Sequence, residues 1–290
     1  MGQCHAVLLV DRAVLRVKGE DARKFLQGLI TSDINALADG GAAHAGLLNP
    51  QGKILFDFFV AAAGNGFLID IAKDMAGELK QRLGFYRLRA AVEIVDETGW
   101  QVAATWGEHP HEPEGAIVYA DPRLTELGYR LFLPADAELA MLGCAGAEEQ
   151  DYHARRIRLG VPEGGRDYAF GDAFPHEALF DQLHGVDFTK GCFIGQEVVS
   201  RMEHRGTARK RILPVESSNP LPPPGTSVEA AGVAIGTLGS VHGKTGLALI
   251  RLDRAGEALA RGAVLTAGDV KLTLRRPAFV RFEMPETISA

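Results

Sequence analysis

Apolar and polar positions alternate most plainly over Ile54–Val60. There Ile54, Phe56, Phe58 and Val60 face one way, and Leu55, Asp57 and Phe59 the other. Both faces are apolar except at Asp57, so Lys53–Ala63 reads as a buried strand. Gly64-Asn65-Gly66 turns it into a second strand, Phe67–Ala72. Upstream, Val7–Val10 and Ala13–Val17 predict a short strand pair around Asp11-Arg12. Asp21–Ile30 gathers Phe25, Leu26, Leu29 and Ile30 on one helical face, and Thr31-Ser32-Asp33 closes it. Met75, Leu79 and Leu83 recur with helical spacing and predict the next helix.

Further strands are predicted at Ala91–Val95, Trp100–Thr105, Ala116–Ala120 and Gly128–Leu133, and a helix at Glu148–Leu159. Gly160–Ala173 is Gly-rich and reads as an ordered loop. Phe188–Lys190 leads into Gly191-Cys192 as a strand passing towards a helix at Gln196–Glu203. The clearest predicted boundary is Glu216–Gly225, ESSNPLPPPG, because three consecutive prolines suit neither a helix nor a central strand. Alternation and frequent glycine turns beyond it predict an all-β domain of about 65–75 residues.

Composition narrows the function classes. The chain has 290 residues, 46% of them apolar and 23% charged, the balance of a soluble globular protein. A formal net charge of −6 weighs against nucleic acid as the main direct partner. The opening MGQCHAVLLVDRAVLRV has no basic region ahead of a long apolar run, and Val7–Val10 is too short to span a membrane. Ala6 stands where a myristoylation motif needs Ser or Thr. The expected location is therefore the cytoplasm, without membrane association. Cys4, Cys144 and Cys192 lie far apart with no C-x-x-C, so neither structural disulfides nor a zinc site is expected.

Candidate chemistry falls on a few residues. Asp57 is a carboxylate among apolar neighbours, which needs a hydrogen-bond donor or a ligand; a structural role at a sheet edge is the alternative. Cys192 stands between Gly191 and Gly195 ahead of a helix N-terminus, with Lys190, His184 and Arg201 near in sequence, features that favour a thiolate. The alternative is a small buried cysteine. Glu177, in Phe174–Leu179, can accept two parallel N–H bonds from a planar ligand edge, or compensate a helix N-terminus. Arg201, Arg205, Arg209, Lys210 and Arg211 form a basic run suited to a folate tail or RNA phosphate, or to a solvated helix face with Glu197 pairing Arg201. Gly239–Thr245 is one residue short of a phosphate loop, and His109 and His111 lie in a Pro-rich surface loop, so no metal site is assigned.

Phe188–Arg211, FTKGCFIGQEVVSRMEHRGTARKR, resembles the YgfZ family of folate-binding proteins, relatives of the glycine cleavage T-protein aminomethyltransferase. The match runs through Lys190–Glu197, then Arg201, His204 and Gly206. Phe25–Asp33, Leu48–Lys53 and Gly225–Phe279 are similar to other family segments, so the resemblance covers nearly the whole chain. It implies an α+β fold of interleaved α/β-plait subdomains of the T-protein type over residues 1–212, then a C-terminal β-barrel over 213–290. It implies a tetrahydrofolate or other reduced folate as cofactor, with Glu177 on the pterin, Asp57 near its reactive nitrogens, and Lys190, Phe193 and Arg201 as further cofactor contacts. It implies dependence on Cys192 and a role in iron–sulfur cluster assembly or repair, with Fe–S client proteins as partners, tRNA-modifying enzymes among them. The T-protein strand carries two acids where this chain has Phe56 and Asp57, which weighs against the rival reading of one-carbon transfer; an RNA-binding module is the other rival.

Overall fold

The computed structural model describes residues 3–206 and 208–285. In chain order its first strands are β1 (His5–Leu8), β2 (Arg12–Lys18), β3 (Ala42–Leu48), β4 (Ile54–Ala63), β5 (Gly66–Ala72), β6 (Glu93–Asp96), β7 (Trp100–Trp106), β8 (Ile117–Ala120), β9 (Tyr129–Pro134) and β10 (Ala145–Gly146). After them come β11 (Lys210–Glu216), β12 (Ser227–Ala230), β13 (Val233–His242), β14 (Thr245–Arg251), β15 (Leu265–Ala267) and β16 (Val270–Leu274). The helices are α1 (Ala22–Gln27), α2 (Ala76–Arg87), α3 (Glu149–Leu159), α4 (Gln196–Arg205) and α5 (Leu252–Ala260). No helix among the described residues is long and apolar enough to cross a membrane.

The chain forms two compact units, each drawn from separated segments. The first takes the residues up to Pro50, then Leu55–Tyr152 and His184–Gln196; the second takes Gln51–Ile54, His153–Leu183 and the residues from Glu197 onward.

The first unit holds two five-stranded sheets, ordered β10-β1-β7-β9-β8 and β3-β4-β5-β2-β6. The alternation along β4 sorts its side chains. Phe56, Phe58, Val60 and Ala62 join Phe25, Leu26, Leu79 and Leu83 in the core under α1 and α2. Ala61 and Ala63 face the other way and pack with Val7, Val102, Phe132 and Tyr152. Ala63 pairs with Gly66 across the Gly64-Asn65 turn. Gly66 is obligatory there, since a Cβ would lie 2.3 Å from the Val17 carbonyl oxygen.

Three expectations change in this unit. The strand pair around Asp11-Arg12 does not form: β1 pairs with β7 and β10, whereas β2 pairs with β5 and β6. Val14, Leu15 and Val17 are buried on both faces of β2, and such a strand belongs inside a sheet rather than at the edge of a hairpin. Cys4 and Cys144 form a disulfide, with Cα atoms 4.7 Å apart. Their separation along the sequence concealed this, because the parallel pairing of His5 with Ala145 sets the two cysteines side by side. No strand precedes Cys192: residues 184–195 form a loop.

Between the two sheets lies a buried ionic network. Arg12 Nε donates to Asp70 Oδ1 at 2.6 Å, and Arg130 pairs with Asp70 Oδ2. Arg123 donates to both oxygens of Asp121, at 3.0 and 2.8 Å. Tyr152 Oη accepts from Arg123 and Arg130, both at 2.9 Å. Burial alone would raise the carboxyls of Asp70 and Asp121, but the arginines outweigh it and hold both below the usual range.

In the second unit β11-β14-β13-β12-β15-β16 close into a barrel around Val215, Val228, Leu238, Ile250 and Leu265. The Pro-rich segment expected as a boundary instead joins β11 to β12 within this barrel. Its prolines need no ladder partners in an irregular connection. Asp167, from the 160–173 loop, accepts from the Ser240 N–H at 2.7 Å and from Arg156 at 2.6 Å, which ties that loop to β13.

Candidate functional site

Cys192 is the cysteine left outside the disulfide, and it is exposed. Its neighbours in the motif point inward. Lys190 and Phe193 are each 7% exposed, so one accessible thiol stands between two buried anchors. The reading of Cys192 as a small buried cysteine is thereby set aside.

The Lys190 ammonium donates to the carbonyl oxygens of Gln27, Ile30 and Ser32 at 2.9, 2.7 and 2.8 Å. Gln27 ends α1, where helix carbonyls lack intrahelical donors and a cation is favoured. Asp187 Oδ1 accepts the Thr189 N–H and hydroxyl, both at 2.7 Å, and the Lys190 N–H at 3.1 Å, forming an Asx-type turn. The Asp187 N–H donates to the Thr31 carbonyl at 3.0 Å, and Thr31 Oγ1 donates to the Gly185 carbonyl at 2.5 Å. The KGC loop is thus latched onto Gln27–Ser32, the other segment with strong motif character. Burial pushes the Lys190 ammonium down to about 8, against the pull of Asp33 and Asp187. All three N–H bonds of the ammonium end on backbone oxygens, so the cofactor contact expected of Lys190 has no donor here, and the Phe193 ring is likewise turned into the fold.

Asp57 is 9% exposed, on the β4 face that looks away from the helices. Phe59 lies two residues on along that face. Its ring is 5.5 Å from that of His44 and carries the guanidiniums of Arg130 at 4.1 Å and Arg123 at 4.7 Å. Asp57 therefore shares a face of β4 with Phe59, in the same unit as the thiol loop.

Glu177 and Arg201 belong to the second unit. Glu177 Oε2 accepts the Phe174 N–H at 2.9 Å within a turn; no helix begins there, so the helix-end alternative does not apply. Oε1 accepts no hydrogen bond from the described residues, so one oxygen is available to an amino-pyrimidine edge. Beside it, His176 Nε2 lies 2.9 Å from Glu203 Oε2, and Arg211 Nη1 donates to Asp181 Oδ1 at 2.6 Å and to the His176 carbonyl at 2.6 Å. Arg211 is therefore buried and structural, whereas Arg201, Arg205 and Arg209 are exposed. The basic run is not one continuous cationic face. No ion pair joins Glu197 to Arg201.

The sequence reading missed Asp70, which lies in Phe67–Ala72 as a lone acid in an apolar strand. That is the pattern that singled out Asp57, so the signal was present. Its arginine partners, remote in sequence, gave none.

Residues 209–282 match the C-terminal β-barrel domain of CAF17. The human mitochondrial iron-sulfur cluster assembly factor IBA57 is 34% identical over 273 residues, covering 83% of this chain and 76% of the relative. The mouse protein of that name is 34% identical, covering 84% and 77%. A Neurospora crassa homologue is 32% identical over 71% of this chain but only 52% of its own length. Among solved structures, the glycine cleavage system aminomethyltransferase T of Bartonella henselae superposes with a TM-score of 0.76, over 96% of this chain and 87% of that one. At 15% identity it shows the T-protein type of α+β fold and no more. The relatives are named mitochondrial, which overturns the cytoplasmic location expected for want of an export signal. The chain belongs to the family of the iron-sulfur cluster assembly factor IBA57.

Proposed function

We propose that this protein is an accessory factor for iron–sulfur cluster assembly or repair and that it acts through the Cys192 thiol. The observation that carries the reading is the exposed thiol held between the buried Lys190 and Phe193. A deprotonated thiol is the form that ligates iron, and it can take the place of another ligand on a cluster in transit without any change of oxidation state. The partners are Fe–S client proteins, tRNA-modifying enzymes among them. Replacing Cys192 by Ser keeps the side chain's size but removes the soft donor. That variant folds normally and fails to sustain the activity of [4Fe–4S] clients; full support by the Ser variant would refute the role of the thiol.

A reduced folate is the proposed cofactor. The available Oε1 of Glu177 would accept from the pterin amino edge. When bound, a reduced folate supplies a one-carbon carrier or a reductant. Calorimetric titration with tetrahydrofolate shows saturable binding by the wild type and about tenfold or greater weakening in Glu177→Ala, as expected for losing a charge-assisted pair. Unchanged affinity in that variant would leave Glu177 as the acceptor of the Phe174 N–H alone.

A further inference from the structure

We propose that Lys190 is a positioning residue for Cys192: its ammonium holds the thiol loop against the Gln27–Ser32 segment, so that the thiol alone is presented. The inference deepens the assembly reading above and rests on it for its functional meaning. Three observations carry it. The ammonium is saturated, with one N–H for each of three backbone oxygens at 2.7–2.9 Å, so it has no donor for a ligand. Its own backbone N–H is fixed from the other side by Asp187. The chain emerges between Lys190 and the buried Phe193 ring, whose centroid lies 5.6 Å from Nζ, and only Gly191 and Cys192 are exposed between them.

An apolar side chain of similar length would fill the same channel without burying a charge. Burying an ammonium is unfavourable, and it is compensated here only by backbone carbonyls and by the carboxylates of Asp33 and Asp187, the charged groups that act on it. What the ammonium adds over a methyl group is directionality, since three bonds to three fixed oxygens define one place for the Lys190 backbone.

The disulfide between Cys4 and Cys144 makes the test clean, because Cys192 is then the thiol that reacts. Wild type, Lys190→Met and Asp187→Ala are alkylated with iodoacetamide and with a bulky maleimide across the pH range about the ordinary thiol ionisation. Thermal unfolding and tetrahydrofolate titration are run alongside. A presented, fixed thiol discriminates between the two reagents by size. In Lys190→Met that discrimination falls several-fold, because the loop loses its three bonds to the Gln27–Ser32 segment. In Asp187→Ala, discrimination also falls, because the Thr189 and Lys190 N–H groups lose their acceptor. Folate affinity is unchanged in both.

Wild-type discrimination in a folded Lys190→Met protein would overturn the proposal. So would loss of folate affinity in that variant alone, which would make Lys190 a ligand contact. Should Lys190→Met fail to fold, Lys190→Gln, with two N–H donors and no charge, carries the same comparison. These rates are read on the protein alone. A Cys192→Ser variant that still supported clients would refute the assembly role and leave the alkylation results standing.

Discussion

Replacing Asp70 by Asn would leave Arg12 and Arg130 buried without their shared counter-charge. Breaking one partner out of such a network destabilises by about 3–5 kcal/mol, so Asp70→Asn is expected to lower the unfolding free energy by that order, read from denaturant melts. The pH dependence has a definite sign. Asp70 and Asp121 titrate below their unfolded values, so their contribution is present above the ordinary aspartate range and is lost as pH falls through the folded-state values. Lys190 acts in the same sense at the alkaline end. Its folded pKa of about 8 lies below that of an unfolded lysine, so on this group alone stability rises from about pH 8 up to the ordinary lysine range. Lys190→Met should abolish that alkaline rise. The sequence displayed Asp57, Cys192 and Lys190 as chemistry in unusual settings. It did not display where Lys190 points, because the oxygens it meets belong to residues 27–32 and carry no side-chain signature.

Periodicity served well for elements whose two faces differ. The pattern of β4 and β5 with the Gly64-Asn65 turn, the Met75–Leu83 spacing of α2 and the Gln196 start of α4 all fall where it put them. It failed where a segment is apolar on both faces, as in β2, since alternation then cannot name the neighbouring strand. It failed also at Pro222–Pro224, where prolines mark an irregular connection but not whether it lies between domains or inside one. The barrel offers its own test. Gly236 on β13 lies where a Cβ would approach the Leu249 carbonyl oxygen to 2.3 Å. Gly236→Ala must therefore push β13 from β14, and a drop of about 1–3 kcal/mol, the range for overpacking, is expected in thermal unfolding of the whole chain.

At the scale of the molecule, motif and fold point to one family from different stretches of chain. The barrel match covers residues 209–282, and the relatives span most of the chain. Residues 184–196, with the thiol loop, return to the first unit after a long excursion through the second, so the loop's supports are far from it in sequence. That discontinuity explains why a local motif was legible while its anchoring was not. The Cys4–Cys144 link, within the first unit, was hidden by the 140-residue separation of the two cysteines, and it bears on the role of Cys192: with both other cysteines bonded to each other, one thiol remains to act.

Complementation tests the role of the Cys192 thiol in the cell. Cells lacking their own copy of this factor are supplied with the wild type or with Cys192→Ser, and the activity of a [4Fe–4S] enzyme is measured with the level of folded protein verified. Wild type is expected to restore the activity and Cys192→Ser to restore none at equal protein level. Equal restoration by both would contradict the role of the thiol.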